Sequence, residues 1–165
     1  MIGQVAIISG HGWAARLVQV VTRSAHNHVV IGIGNDICVS AEPRGAILRP
    51  TSYYPDRGDR ITWSRFNLTP DQADAIADWA FDAEGTEYSW IDFVYAGIAS
   101  LLKQHTPRFI RERVASPDRL ICSQLADLAL QAGGIHLFAD QRPYGAVTPA
   151  DFAQVFIDHG WTDQA

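Results

Sequence analysis

The chain has 165 residues, of which 47% are apolar and 19% charged, and its formal net charge is −5. This balance is typical of a globular protein that is long enough to bury one core, and we expect a single domain spanning residues 1–165. The acidic charge and the lack of a basic run argue against nucleic-acid binding.

The first 67 residues are predicted to be mostly β-structure. A buried strand, a short amphipathic helix, two strands of a hairpin and two further strands follow in order at residues 4–9, 12–24, 28–34, 37–42, 46–50 and 59–67. Apolar side chains at helical spacing indicate the helix. β-branched residues on both sides of a turn at residues 35–36 indicate the hairpin.

The rest of the chain is predicted to be helical. Apolar spacing and end signals predict helices at residues 68–85, 89–105, 119–134 and 148–160. The first has Thr69 as N-cap, Pro70 in the first helical position and Gln72 to complete a capping box. Strands followed by helices predict an α+β domain.

Neither the start of the chain nor its longest apolar run predicts a membrane protein. The first 13 residues lack the basic region of a signal peptide. The longest apolar run, residues 90–102, is too short to span a bilayer and contains Asp92. We therefore expect a soluble protein, cytoplasmic or phage-associated, without stable membrane insertion.

Cys122 is one of two cysteines and stands where a helix is predicted to begin. Backbone N–H groups in a first helical turn have no intrahelical acceptor, and the helix dipole is positive there. Both favour a thiolate, and the same groups could hold an oxyanion. The alternative is a small core residue, which is what we expect of Cys38, within the strand at 37–42.

A nucleophilic cysteine needs a base, and His28 is the best placed of six histidines because it opens a strand. Glu42 ends the neighbouring strand. If the two strands pair about the turn at residues 35–36, Glu42 lies near position 28 or 29 and could hydrogen-bond the His28 ring. A solvated carboxylate at a strand end is the alternative interpretation of Glu42.

Six segments, taken in order, resemble the permuted NlpC-type papain-like cysteine hydrolases, which include the YiiX-like bacterial proteins and the lecithin:retinol acyltransferase relatives. They read GQVAIIS, NHVVIGI, VSAEPRG, GTEYSW, ICSQLADLAL and GAVTPADF. The resemblance implies an α+β, permuted papain-like fold with an antiparallel sheet packed against helices and the nucleophile at a helix N-terminus. It also implies Cys122 as nucleophile, His28 as base, Glu42 as polar third member and Tyr88 as a substrate-binding residue beside the thiol.

The chain departs from the family pattern at four positions. Gln4 and Ser89 replace the usual aspartates, Gln124 replaces a glutamate and Asn27 precedes the histidine. The first three changes could weaken local hydrogen bonds, and none of the four removes a member of the implied triad.

The resemblance favours a cysteine amidase or peptidase that acts on a peptide or acyl amide, for example in cell-wall peptides, through a thioester and without metal or cofactor. One alternative is an acyltransferase or lipid-ester hydrolase of the same fold. Another is a structural or binding module, such as a phage tail component with a phage or cell-wall assembly partner. A zinc site at His26 and His28 is less favoured, because no second cluster lies at ligand spacing.

Overall fold

A five-stranded antiparallel sheet forms the centre of the protein. The structure is a computed structural model and describes residues 1–42, 45–86, 122–138 and 147–161. The strand order is β4-β3-β2-β1-β5. The strands are β1 (Ile2–Ser9), β2 (His28–Gly34), β3 (Ile37–Glu42), β4 (Gly45–Pro50) and β5 (Arg60–Trp63). All five predicted strands are therefore present, and the α+β class is confirmed.

Four helices accompany the sheet in the described ranges. They are α1 (Trp13–Thr22), α2 (Pro70–Asp82), α3 (Cys122–Ala132) and α4 (Pro149–Asp158). The capping box predicted for α2 is confirmed, since Gln72 N donates to Thr69 Oγ1 over 3.2 Å and Thr69 N to Gln72 Oε1 over 3.1 Å. The helix predicted at 89–105 lies outside the described residues. No helix in the described part has the length and apolarity needed to cross a membrane.

Strand alternation gives the sheet two differently packed faces. On one, which we call the helix face, the strands pack against α2, α3 and α4 through Val5, Ile7, Val29, Ile31, Val39 and Ala41. On the other, the tyrosine face, Ala6, Ile8, Val30 and Cys38 pack against Tyr54. Tyr54 lies between two short 3-10 helices, Thr51–Tyr53 and Pro55–Arg57. Both faces of the central strands are thus buried.

The last predicted strand is shorter than expected and ends at Trp63. Beyond it, Ser64 N still donates to Val5 O over 2.8 Å, and the Gln4 side chain then makes the hydrogen bonds to the following residues. Its Oε1 accepts from Ser64 Oγ at 2.7 Å and from Phe66 N at 2.9 Å, and its Nε2 donates to Phe66 O at 3.0 Å. Gln4, where the family pattern has an aspartate, therefore makes three hydrogen bonds that pin this segment to β1.

Helix α1 is confirmed, but part of its apolar stripe faces outward. Trp13 is 75% exposed and Val20 is 71% exposed. The hydrogen bonds that tie the helix to its flanks come from Gln19, whose Nε2 donates to Gly10 O and Ala25 O. Amphipathic spacing alone does not decide whether a helix so short packs its apolar side onto the core.

Candidate active site

His28, the first residue of β2, is held by a buried serine on the tyrosine face. Its Nε2 lies 2.9 Å from Ser40 Oγ. The Tyr54 hydroxyl donates to the same oxygen over 3.0 Å, and the His28 and Tyr54 rings are 6.3 Å apart between centroids. Ser40 is fully buried and Tyr54 nearly so, while His28 itself is partly buried. The Nε2 atom of His28 is therefore held by a buried side chain of the neighbouring strand β3.

Glu42 continues this chain of contacts. Ser40 Oγ donates to Glu42 Oε1 over 3.3 Å. Arg49 on β4 grips the carboxylate with two hydrogen bonds of 2.9 Å, from Nε to Oε1 and from Nη2 to Oε2. A bidentate pair of this kind fixes the direction of the carboxylate as well as its position.

The predicted pairing of β2 and β3 is confirmed, because Val30 stands opposite Ser40 and two more residues of that register bring Glu42 level with His28. The direct hydrogen bond expected between Glu42 and the ring is replaced by one through Ser40. Residues 40 and 42 share a face of the strand, and the carboxylate turns toward Arg49. The short Ser40 side chain then fills the gap to the ring.

The electrostatics of the site favour a neutral imidazole beside a charged carboxylate. Burial lowers the pKa of His28 to about 4, although the charge of Glu42 pulls it back upward. For Glu42, burial would raise the pKa, but the hydrogen bonds and charge of Arg49, with help from His28 and Ser40, hold it below its usual value. At neutral pH His28 is therefore uncharged, and the charge of Glu42 partly offsets the effect of burial against the imidazolium form.

The low pKa of His28 makes stability depend on pH in a defined window. Between pH 6.5 and about 4 the unfolded chain binds a proton at His28 that the folded protein does not, so acidification favours unfolding. The loss begins near pH 6.5, is complete below about pH 4 and amounts to at most about 3 kcal/mol. His28→Gln should remove this component, which urea unfolding at pH 7, 5.5 and 4.5 would measure.

His136→Gln is the matched control for that experiment, because His136 is exposed. Its pH profile of unfolding free energy should follow that of the wild type. Parallel profiles for the wild type and His28→Gln would mean that burial does not disfavour the charged His28 ring.

Cys122 begins the described part of α3 and is buried in the core on the helix face, with 2% of its surface exposed. The next residue, Ser123, donates its hydroxyl to Val147 O, which ties this end of α3 to the segment before α4. Residue 121 and Tyr88 lie outside the described residues. The helix start at Cys122 and the place of Tyr88 beside the thiol therefore stay predictions.

The direction of α3 follows from contacts at its other end. Gln72, near the start of α2, donates to Gly133 O just beyond the end of α3 over 3.2 Å. The start of α2 also lies close to Gly3, where an added Cβ would meet the backbone of Ala73 at 2.7 Å. Gly3 belongs to the first residues of β1, which pair with the end of β2. The C-terminal end of α3 thus lies where β2 ends.

The N-terminal end of α3 then lies toward the opposite end of the strands, where β2 begins. Its 11 residues cover about 16 Å, and it packs on β2 and β3. Cys122 therefore lies toward the end of the sheet at which β2 begins with His28. The two side chains lie on different faces there, since Cys122 packs on the helix face while His28 is hydrogen-bonded to Ser40 on the tyrosine face. The structure thus joins His28 to Glu42 but shows no hydrogen bond from His28 to Cys122.

Three residues of this site were not found from the sequence: Ser40, Arg49 and Tyr54. Ser40 had a usable signal, since it shares a strand face with Glu42 two residues away. Arg49 and Tyr54 had none, because the first depends on the register of β4 and the second on how the 3-10 turns fold back on the sheet.

Cys38 is the core residue that the sequence predicts. It is fully buried on the tyrosine face and its Sγ donates to Arg49 O over 3.4 Å. Burial, reinforced by the charge of Glu42, raises its pKa to about 12. Cys38 therefore stays a thiol at neutral pH.

The histidines of the HNH segment do not gather metal ligands. His26 Nδ1 lies 2.9 Å from Ser9 Oγ, and His28 is held by Ser40. Within residues 1–42, 45–86, 122–138 and 147–161, no three His, Cys, Asp or Glu side chains are grouped so that they could hold a metal ion. The donor set of the described residues does not fit a zinc site.

Comparison with known proteins gives a relationship at the level of the fold. No family model and no curated protein matches the chain. A similar solved structure is that of the metalloprotein yiiX from Escherichia coli O157:H7, of DUF1105, with a TM-score of 0.59 and 16% identity over 97% of this chain and 82% of that one. At this identity the likeness shows the fold alone. The chain thus shares a mixed α+β fold with a protein of the YiiX group that its sequence segments resemble.

Proposed function

We propose that the protein is a cysteine hydrolase of permuted papain-like fold that cleaves an amide bond, with residues 1–165 as one domain. Cys122 is the nucleophile, His28 the base and Glu42 the third member. The observation that carries the proposal is the chain from His28 through Ser40 to Glu42, which supplies a neutral imidazole linked to a charged carboxylate. That arrangement is what a base in nucleophilic catalysis needs.

The chemistry follows from these roles. His28 removes the thiol proton, and a bond forms between Cys122 Sγ and the carbonyl carbon. Backbone N–H groups at the predicted start of α3 stabilise the oxyanion. His28 then gives its proton to the leaving amine as the C–N bond breaks. Water, deprotonated by His28, attacks the thioester. The C–S bond breaks to release the acid, and His28 returns the proton to the leaving thiolate, which restores the thiol.

The mechanism requires the Cys122 thiol and a ring nitrogen of His28 to come into contact around the end of β2, since the two side chains lie on different faces of the sheet. Ser40 occupies Nε2, so Nδ1 is the nitrogen left for the thiol. Glu42 stays at a distance from the reacting atoms and acts through Ser40. From that position the charge of Glu42 raises the pKa of His28 against the larger effect of burial.

For substrate we propose a short peptide or acyl amide, such as a cell-wall peptide. The similar solved structure is named a metalloprotein. We assign no metal step to this chain, because the donors of its described residues do not group around one point. A phage or cell-wall assembly partner remains an expectation of the sequence.

A matched set of substrates tests the proposal: short-peptide anilides, the corresponding peptide esters, and each of them with an added amine or alcohol acceptor. The proposal expects anilide hydrolysis that is lost in Cys122→Ala protein prepared in the same way. Ester cleavage without anilide cleavage would favour the lipid-ester alternative, and acyl transfer to the acceptor would favour the acyltransferase. No turnover of any of them would favour a binding module.

Substitutions of Glu42 test the third member. Glu42→Gln keeps an acceptor without the charge and should retain part of the anilide activity, whereas Glu42→Ala should lose more. Both should lower the pKa of His28 further, because the carboxylate raises it. NMR titration of the ring measures this. An unchanged rate and titration in Glu42→Ala would make Glu42 an ordinary strand-end carboxylate.

A further inference from the structure

The hydrogen bonds around Ser40 favour one direction for its proton. A serine hydroxyl has one proton to donate and two lone pairs to accept with. The ionised carboxylate of Glu42 can only accept, so the 3.3 Å hydrogen bond between Ser40 Oγ and Glu42 Oε1 uses the Ser40 proton. The Tyr54 hydroxyl donates to one lone pair of Ser40 Oγ. The other lone pair faces His28 Nε2 at 2.9 Å, which must then carry a proton.

We infer that Ser40 is a positioning residue, which holds His28 in the tautomer with its proton on Nε2 and leaves Nδ1 as the basic nitrogen. The direction of the Ser40 proton is set by Glu42, whose carboxylate Arg49 fixes with two hydrogen bonds. The inference rests on the proposed function only for the use of Nδ1 as a base. The tautomer itself is a property of the resting protein.

The opposite tautomer would place an unprotonated Nε2 against Ser40, whose proton would have to turn from Glu42 to the ring. Glu42 would then keep its two hydrogen bonds from Arg49 but lose the one from Ser40. Because a hydrogen bond to a charged acceptor is stronger than one to a neutral acceptor, the Ser40 proton favours the carboxylate over the ring nitrogen. The tautomer with its proton on Nε2 is therefore the preferred one.

Two-bond ¹H–¹⁵N correlation spectra of histidine-labelled protein at pH 7 report the tautomer directly. Loss of one set of ring signals in His28→Gln assigns His28, and the ring of His26, which contacts Ser9, is the internal reference. The wild type should show His28 with its proton on Nε2. Ser40→Ala should reduce that preference to a mixture, with the His26 signals unchanged.

Two further variants keep the test decisive if Ser40→Ala does not fold. Glu42→Leu removes the acceptor of the Ser40 proton and should shift His28 toward the Nδ1–H form. Tyr54→Phe leaves the chain from His28 to Glu42 intact and should keep the Nε2–H form. A wild-type ring protonated on Nδ1, or an unchanged tautomer in Ser40→Ala or in Glu42→Leu, would overturn the inference.

The spectra also separate this inference from the proposed function. If anilides and esters are not turned over but His28 carries its proton on Nε2 until Ser40 is replaced, the hydrolase proposal fails and the role of Ser40 stands. If anilides are hydrolysed while the proton lies on Nδ1, the reverse holds.

Discussion

Cys122→Ala should lower kcat/KM for a peptide anilide by at least about 10³-fold, because removal of the nucleophile leaves only binding and oxyanion contacts to accelerate the reaction. Cys38→Ala is the matched control and should stay within a few-fold of the wild type. Cys38 is the second residue of β3, fully buried, and its pKa of about 12 keeps it protonated.

Steady-state kinetics of both variants, with circular dichroism to confirm folding, measures this difference. Full activity in Cys122→Ala would remove Cys122 from the mechanism. If Cys38→Ala instead lost the activity while folded, the nucleophile would have to be sought on the tyrosine face.

His28→Ala should cost about 10²- to 10⁴-fold in kcat/KM, the range for loss of a general acid–base group. His26→Ala should cost far less. His26 lies two residues before His28, contacts Ser9 rather than the Ser40–Glu42 chain, and has its pKa lowered by burial and by the charge of Arg60. The two variants thus compare neighbouring imidazoles with different partners.

The two rates come from the same anilide assay over pH 5 to 9. Equal losses in the two variants, or a larger loss in His26→Ala, would show that the hydrogen bonds to Ser40 and Glu42 do not identify the catalytic base. The profile of the wild type should keep its activity down to mildly acidic pH, because the free His28 ring is protonated only near pH 4.

The hairpin could be predicted because it depends on local signals, and with it the closeness of Glu42 to His28. A turn at residues 35–36 between two β-branched runs sets the pairing of β2 with β3, and the register then brings position 42 toward position 28. The sequence predicts a direct hydrogen bond from Glu42 to the ring, whereas in the structure the contact runs through Ser40. Which of two polar side chains on one strand face reaches a neighbour depends on competing partners, here Arg49.

The position of Cys122 relative to the sheet could not be predicted from spacing. The apolar stripe of residues 119–134 predicts a helix with one buried face, but not which face of the sheet covers it. That choice depends on the packing of α2 and α3 against β2. In the same way the end of β5 depends on Gln4, some 60 residues earlier in the chain.

The most direct test of an activated Cys122 is alkylation with iodoacetamide at pH 7.5, followed by mass-spectrometric mapping of both cysteines over time. Cys122 should react at least about 10²-fold faster than Cys38, because alkylation requires the thiolate and Cys38 forms almost none at this pH. His28→Gln should slow the reaction of Cys122 and leave Cys38 unchanged. Equal labelling of the two cysteines in the folded protein, or faster labelling of Cys38, would contradict the assignment of Cys122 as the nucleophile.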